Sequence, residues 1–305
     1  MLSKRLILTG AVVVAGTVAT AGTYATAASS SQGSPSAETV HLVSSLLGRN
    51  EVPGTKGAVN DTDGRAVEVL EIDGSKVSFS VRWQGISAPT EAHIHAGGPG
   101  VNGDVKIELF SSARSGDTAS GSVRVKDAGL LAALAADPGS FYANLHTRQY
   151  PGGALRGQLH RLSQPVRQGG PAIDVAPVVQ GAQIYACTQQ ADGTFAFTQR
   201  DVVAQLRGGI RHSFVQPVDG PPQWVAPDGT SVTGKVILRT ANGADNIPEL
   251  DLQATRTGAA HGRLARVTEV LRLNTLRGTA PAGTCDPQRT PTAAVPYQAD
   301  YLFVG

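Results

Sequence analysis

The sequence predicts a mainly β protein: two antiparallel β-sandwich or barrel-like domains, with one short helix in the first, behind a cleaved signal peptide. Three observations carry that expectation. Short runs alternate apolar and polar residues, as Val77, Phe79, Val81 and Trp83 do against Lys76, Ser78, Ser80 and Arg82. Thirty-six glycines and 18 prolines punctuate those runs with turn signals. About 265 residues follow the leader, more than one core usually serves, so two domains are expected.

The first 27 residues read as an export signal. Lys4 and Arg5 precede an apolar run from Leu6 to about Ala21, and Ala25-Thr26-Ala27 supplies a small-residue cleavage site. The run is short and rich in Gly and Thr for a span of about 20 residues, and no later stretch is apolar enough to cross a bilayer. The mature chain is therefore expected outside the cytoplasm, secreted or periplasmic according to the host envelope. Residues 28–39, rich in Ser and Ala, read as a flexible leader. Removing residues 1–27 takes two bases and no acid from the 26 bases and 24 acids of the full chain. The remaining 24 of each leave a neutral protein with 5% aromatic residues, which lacks the basic footprint of a nucleic-acid binder.

Residues 40–160 make the first expected domain. Val67, Val69 and Leu70 lead to the turn Asp73-Gly74 and the alternating strand after it, a hairpin. Thr90 to Ala96 carries His93 and His95, followed by a glycine-rich loop to Gly103 and the alternating Val105, Ile107 and Leu109. Ser122 to Val125 is a further strand, and Asp127 is placed to cap a helix over Ala128–Ala136 that Asp137-Pro138-Gly139 stops. Phe141, Ala143 and Leu145 then alternate with Tyr142, Asn144 and His146, and Ala154 to Leu159 closes the domain.

Alternate residues of a strand share a face. Ala92, Ile94, Ala143 and Leu145 would face the core, which turns His93, His95 and His146 to the other side. With their strands adjacent, the three imidazoles would converge, and three neutral imidazoles with an open fourth position suit zinc or copper. Spacing by itself seldom specifies a ligand set, and the same residues suit a structural role, hydrogen-bonding loop backbone and pinning the 97–103 turn to the 149–153 turn.

Four blocks in this domain resemble the CHRD domain, the module named for chordin: Gly48-Arg49-Asn50-Glu51-Val52-Pro53, Ala92-His93-Ile94-His95-Ala96-Gly97, Tyr142-Ala143-Asn144-Leu145-His146-Thr147 and Gly152-Gly153-Ala154-Leu155-Arg156-Gly157-Gln158-Leu159. The resemblance implies an extracellular β-sandwich module and, for bacterial members, no settled activity. The histidine pair with the closing Gly-Gly-x-x-Arg-Gly run is also similar, more distantly, to copper/zinc superoxide dismutases. No histidine lies between His95 and His146, so the loop ligands of those enzymes are missing. That counts against a dismutase centre and leaves a mononuclear site open.

Residues 161–173, with Pro165, Gly169, Gly170 and Pro171, read as a linker to a second β-rich domain over 174–305. There, Ala182 to Thr188 and Thr194 to Phe197 flank a turn at Asp192-Gly193, and Val202 to Leu206, Ser231 to Leu238, Arg263 to Asn274 and Pro296 to Phe303 supply further strands. Blocks such as Gly181-Ala182-Gln183-Ile184-Tyr185-Ala186-Cys187, Gly220-Pro221-Pro222-Gln223-Trp224 and Val295-Pro296-Tyr297-Gln298-Ala299-Asp300-Tyr301 resemble an uncharacterised family of secreted bacterial and fungal proteins. Glu249 departs from its aromatic pattern. Cys187 and Cys285, the only cysteines in a chain read as exported, are expected to form one disulfide worth about 4–5 kcal/mol by loop closure.

Other motifs fail on inspection. Gly229 to Lys235 has phosphate-loop spacing, but Val236 stands where the magnesium-binding Ser/Thr belongs, so a hairpin is the better reading. Asp61-Thr62-Asp63-Gly64 lacks the later calcium-binding Glu, with Ile72 in its place. His212, Asp219, Trp224 and Asp228 are close enough in sequence to line a pocket, or to be ordinary loop polars. Two functional classes remain. One is a non-catalytic secreted or envelope-associated protein binding an extracellular protein, glycan or cell-wall surface. The other is a copper or zinc protein, or a metal-dependent enzyme, built on His93, His95 and His146. With no nucleophile motif, paired carboxylates or cofactor fingerprint, the sequence favours the first.

Overall fold

The computed structural model describes residues 39–55, 57–164 and 172–305. The expected signal peptide, nearly all of the expected leader and the middle of the expected linker lie outside the described residues. The rest is mainly β, built from two antiparallel sheets.

The first sheet is made of β1 (Val40–Leu47), β2 (Arg65–Asp73), β3 (Lys76–Gln84), β4 (Pro89–Ala96), β5 (Val105–Phe110), β6 (Thr118–Arg124), β7 (Phe141–Thr147), β8 (Leu155–Gln158) and β9 (His160–Arg161). Their order is β5-β4-β7-β8-β1-β2-β3-β6, with β9 also on β1. The sheet curls until its ends face each other, so Phe79 of β3 lies 6.0 Å from Phe110 of β5, ring centre to ring centre. One core fills the curl, gathering Leu42, Leu70, Val77, Ile94, Ile107 and Leu145 from strands far apart in the sheet order. The expected helix forms over its full length as α1 (Ala128–Ala136): Asp127 accepts the Leu130 N–H at 2.9 Å, and Leu131 and Leu134 are buried.

The second sheet is a closed barrel in which each strand pairs with the next: β10 (Ile173–Gln189), β11 (Phe195–Leu206), β12 (Arg211–Phe214), β13 (Pro222–Val225), β14 (Ser231–Thr240), β15 (Glu249–Arg256), β16 (Glu269–Arg277) and β17 (Thr292–Val304), which returns to β10. Trp224, Tyr301 and Phe303 fill its interior with Val232, Leu252 and Val270. The hairpins read at Asp192-Gly193 and around Gly229 both form. Cys187 and Cys285 are joined, with Cα atoms 5.9 Å apart. The strand expected over Arg263–Asn274 begins only at Glu269. Upstream, Arg263 is tied to both Asp174 carboxylate oxygens and to the Gly208 carbonyl, and its N–H donates to Asp228, so residues 263–267 fold as turns around buried Leu264.

Both sheets lie within one compact unit, Ala37–Gly305. Val43, Val67 and Val69 on the outer face of the first sheet pack with Leu162, Leu271, Leu273, Leu302 and Val304. Burying each such leucine stabilises the contact by about 1.5–3 kcal/mol. A polar seam runs beside it: Ser45 donates to Asp300 at 2.9 Å, and Asn274 donates to Asp300 at 2.8 Å and to the Ser45 carbonyl at 3.1 Å. The described ends of the expected linker are docked. Backbone N–H groups of Ser163 and Gln164 donate to Glu269, and the Ser163 hydroxyl donates to Asp251. Burial drives the acid forms of Asp251 and Glu269 upward, and their proximity raises Glu269 further.

Candidate metal centre

The antiparallel register of β4 and β7 sets Glu91 opposite His146, His93 opposite Asn144 and His95 opposite Tyr142. Opposed residues share a face, so these six side chains form one layer, while Ala92, Ile94, Ala143 and Leu145 enter the core behind it. The sequence expectation about faces therefore holds. The histidine face is nonetheless covered: His93, His95 and His146 are 8%, 7% and 6% exposed.

Two loops provide the cover. The His95 Nδ1 lies 3.0 Å from the Gly103 carbonyl, and the His146 Nδ1 lies 3.0 Å from the Pro151 carbonyl. Gly97 turns the first loop with φ 146°, and a Cβ there would come within 2.6 Å of the Val101 carbonyl. Arg156 of β8 holds that loop from beneath, donating to the carbonyls of Gly98 at 2.9 Å and Val101 at 2.8 Å and to Asn102 Oδ1 at 3.1 Å. Its guanidinium sits 3.5 Å from the Tyr142 ring centre, and Tyr142 in turn stacks on His95 at 4.8 Å. Gln158 adds a bond to the Gly97 carbonyl at 3.0 Å.

The three imidazoles meet. The His93 Nδ1 is 3.2 Å from the His146 Nε2, and one nitrogen of each ring lies within 4.8 Å of the other two. Tetrahedral zinc bonds of about 2.0–2.1 Å place ligand nitrogens about 3.4 Å apart. The His93–His146 pair meets that spacing, and the widest separation, at most 4.8 Å, exceeds it by no more than about 1.4 Å. A backbone carbonyl holding Nδ1 is the usual orienting contact for an imidazole that ligates through Nε2. Within the layer, Asn144 donates to both Glu51 oxygens at 3.0 and 3.1 Å. Burial pushes the Glu51 carboxyl up to about 7, against the lowering effects of Asn144 and Arg156. The roles of Arg156, Gln158, Asn144 and Glu51 were not legible from spacing, because their partners lie far away in sequence: loop carbonyls for Arg156 and Gln158, and each other for Asn144 and Glu51.

The ordered blocks now have a common place in space: Glu51, the β4 histidines, the β7 layer and Arg156 surround one centre. Residues 42–159 match the CHRD domain. The CHRD match spans the described strands from β1 through β8 and includes all three histidines. Residues 208–305 match a second model, described as a protein of unknown function (DUF3455). That match covers β12 to β17 and leaves out β10 and β11, the two strands that complete the barrel. No curated protein and no solved structure matches the chain.

The second group of residues considered as a pocket is not assembled as one. His212 and Trp224 are opposed in register and stack at 4.6 Å inside the barrel, with Tyr301 edge-on to both. Burial is the main influence driving the His212 pKa down to about 3, and its Nδ1 lies 2.9 Å from the Gln223 carbonyl. Asp219 is exposed on a turn. Asp228 caps its own turn, accepting from the Thr230 N–H and hydroxyl and from the Arg263 N–H. Only the cross-strand pair was close in space; the two aspartates were close only in sequence.

Proposed function

We propose that this is an exported binding protein whose CHRD domain takes one zinc or copper ion on His93, His95 and His146. The observation that carries the reading is the convergence of the three ring nitrogens within 4.8 Å in a layer where His95 and His146 already have their orienting contacts. An all-imidazole donor set favours zinc or copper over magnesium or calcium, which take oxygen ligands. Export is supported by the basic and apolar N-terminal segment with its Ala-x-Ala site, and by the Cys187–Cys285 disulfide, which suits an oxidising compartment. A binding role accords with the CHRD match, and its macromolecular partner would be an extracellular protein, a glycan or a cell-wall surface.

The test is a melting curve of the purified secreted chain with and without stoichiometric zinc or copper, beside His93→Ala, His95→Ala and His146→Ala. A metal that binds only the folded state raises the melting temperature by mass action. The expected result is a rise that each substitution abolishes. An unchanged melting temperature in the native chain would leave the histidines as pins for the two loops and refute the metal reading.

A further inference from the structure

A second site lies away from the histidines, in a cleft of about 390 Å³ where the outer face of the first sheet meets the start of β10. Arg65, Arg82 and Arg207 line it. Arg65 opens β2 opposite Gln84 of β3, and Val67 is opposite Arg82, so Arg65 and Arg82 are diagonal neighbours on one face. Arg207 comes from the other sheet, on the tight turn between β11 and β12, where Gly208 has φ 77°. The two halves of the molecule thus bring three guanidinium groups to one opening.

Nothing described in the protein answers those charges by direct contact. None of the three side chains donates a hydrogen bond or forms an ion pair with a described residue. The acids of the same wall are engaged elsewhere: Asp174 is held by the Arg263 fork, and Asp300 accepts from Ser45 and Asn274. Asp117 is exposed at the rim. Arg65 is half-buried, and its pKa is lowered first by burial and then by the charge of Arg207, with Arg49 adding to the effect and Asp300 opposing it. Gathering like charges at a half-buried position costs free energy that an anion would recover.

We propose that this cleft binds the phosphoryl group of a small phosphorylated ligand. A guanidinium presents parallel N–H donors that match phosphate oxygens, and three of them suit a dianion better than a single carboxylate. The volume falls in the range of small-molecule sites and leaves room for more than a bare ion. The inference is independent of the histidine centre, which lies on other strands.

The experiment is calorimetric titration of the full chain with glucose 1-phosphate and with inorganic phosphate, against sodium chloride at matched ionic strength. Arg65→Gln, Arg82→Ala and Arg207→Ala are compared with Arg289→Ala, an exposed arginine beside Asp286 that lies outside the cleft. Saturable binding that weakens at least tenfold in Arg65→Gln and Arg207→Ala, and is unchanged in Arg289→Ala, supports the site. Equal binding of inorganic phosphate also supports it and places recognition in the phosphoryl group alone; a preference for the sugar phosphate adds the rest of the cleft. Arg207→Ala sits on an exposed turn, so its melting curve checks that the fold is kept. Heats no larger than those of chloride, or equal binding by the native chain and a folded Arg207→Ala, would overturn the proposal.

Discussion

Glu68 lies inside the first core, on β2 between Ala66 and Leu70, with none of its surface exposed. Neither carboxylate oxygen has a hydrogen-bond partner, and the hydroxyl of Ser44, opposite it in register, has none either. Burial alone pushes its pKa from 4.5 up to about 8. The sign follows from proton counting. Between those values the folded chain keeps a proton that the unfolded chain has lost, so stability falls as pH rises from about 4.5 to about 8 and is flat above. A shift of that size, at about 1.4 kcal/mol per unit, corresponds to a loss on the order of 5 kcal/mol across the window. Glu68→Gln should remove that pH dependence while retaining a buried polar group, and Glu68→Leu should remove both and raise stability at pH 8. Urea unfolding at several pH values between 4 and 9 measures this as the difference in slope between variant and native chain. Equal slopes in all three proteins would refute a neutral carboxyl in the core.

Four further outcomes follow from named contacts. Raised acids at Glu51, Glu68 and Glu249 disfavour alkaline pH, whereas burial lowers His160 to about 4 and His212 to about 3, so that the unfolded chain gains protons first below about pH 6.5. Above about pH 5 the raised acids outweigh the two lowered histidines, so maximum stability is expected near pH 4.5–5, and a melting profile peaking at pH 8 would contradict it. Reducing Cys187–Cys285 removes a link between residues 98 positions apart and should cost about 4–5 kcal/mol in the chain-entropy model, read by urea unfolding with and without dithiothreitol. Arg156→Ala strands the carbonyls of Gly98 and Val101 and should cost about 2–4 kcal/mol while weakening metal binding more than tenfold, measured by unfolding and metal titration. Asn274→Ala deletes the bonds to Asp300 and the Ser45 carbonyl and should cost about 2–3 kcal/mol, with faster proteolysis between the two sheets as the second readout.

Local patterns carried much of the fold. Asp127 followed by an apolar run and stopped at Asp137-Pro138-Gly139 specifies α1 because cap, helix and breaker are all within thirteen residues. The turn glycines at 74 and 193 specify hairpins for the same reason, and an even cysteine count in a chain read as exported leaves one pairing. The histidine layer was legible as a face, because period-two alternation fixes which side chains point together. Its burial was not, since the cover comes from loops anchored by Arg156 and Gln158 on another strand. Glu68 was missed because β2 is covered on both sides. Val67 and Val69 face the barrel while Ala66 and Leu70 face the core, so the usual inference that the polar member of an alternating strand meets water fails there. Arg263 likewise looked like the start of a strand until its partners, Asp174 and the Gly208 carbonyl, were known.

The most direct test of the metal centre is metal content per chain, measured by mass spectrometry on protein incubated with stoichiometric zinc or copper and then passed through a desalting column. One equivalent retained by the native chain, and lost in His93→Ala, His95→Ala and His146→Ala alike, is the predicted result. No retained metal, or metal that survives all three substitutions, would contradict it.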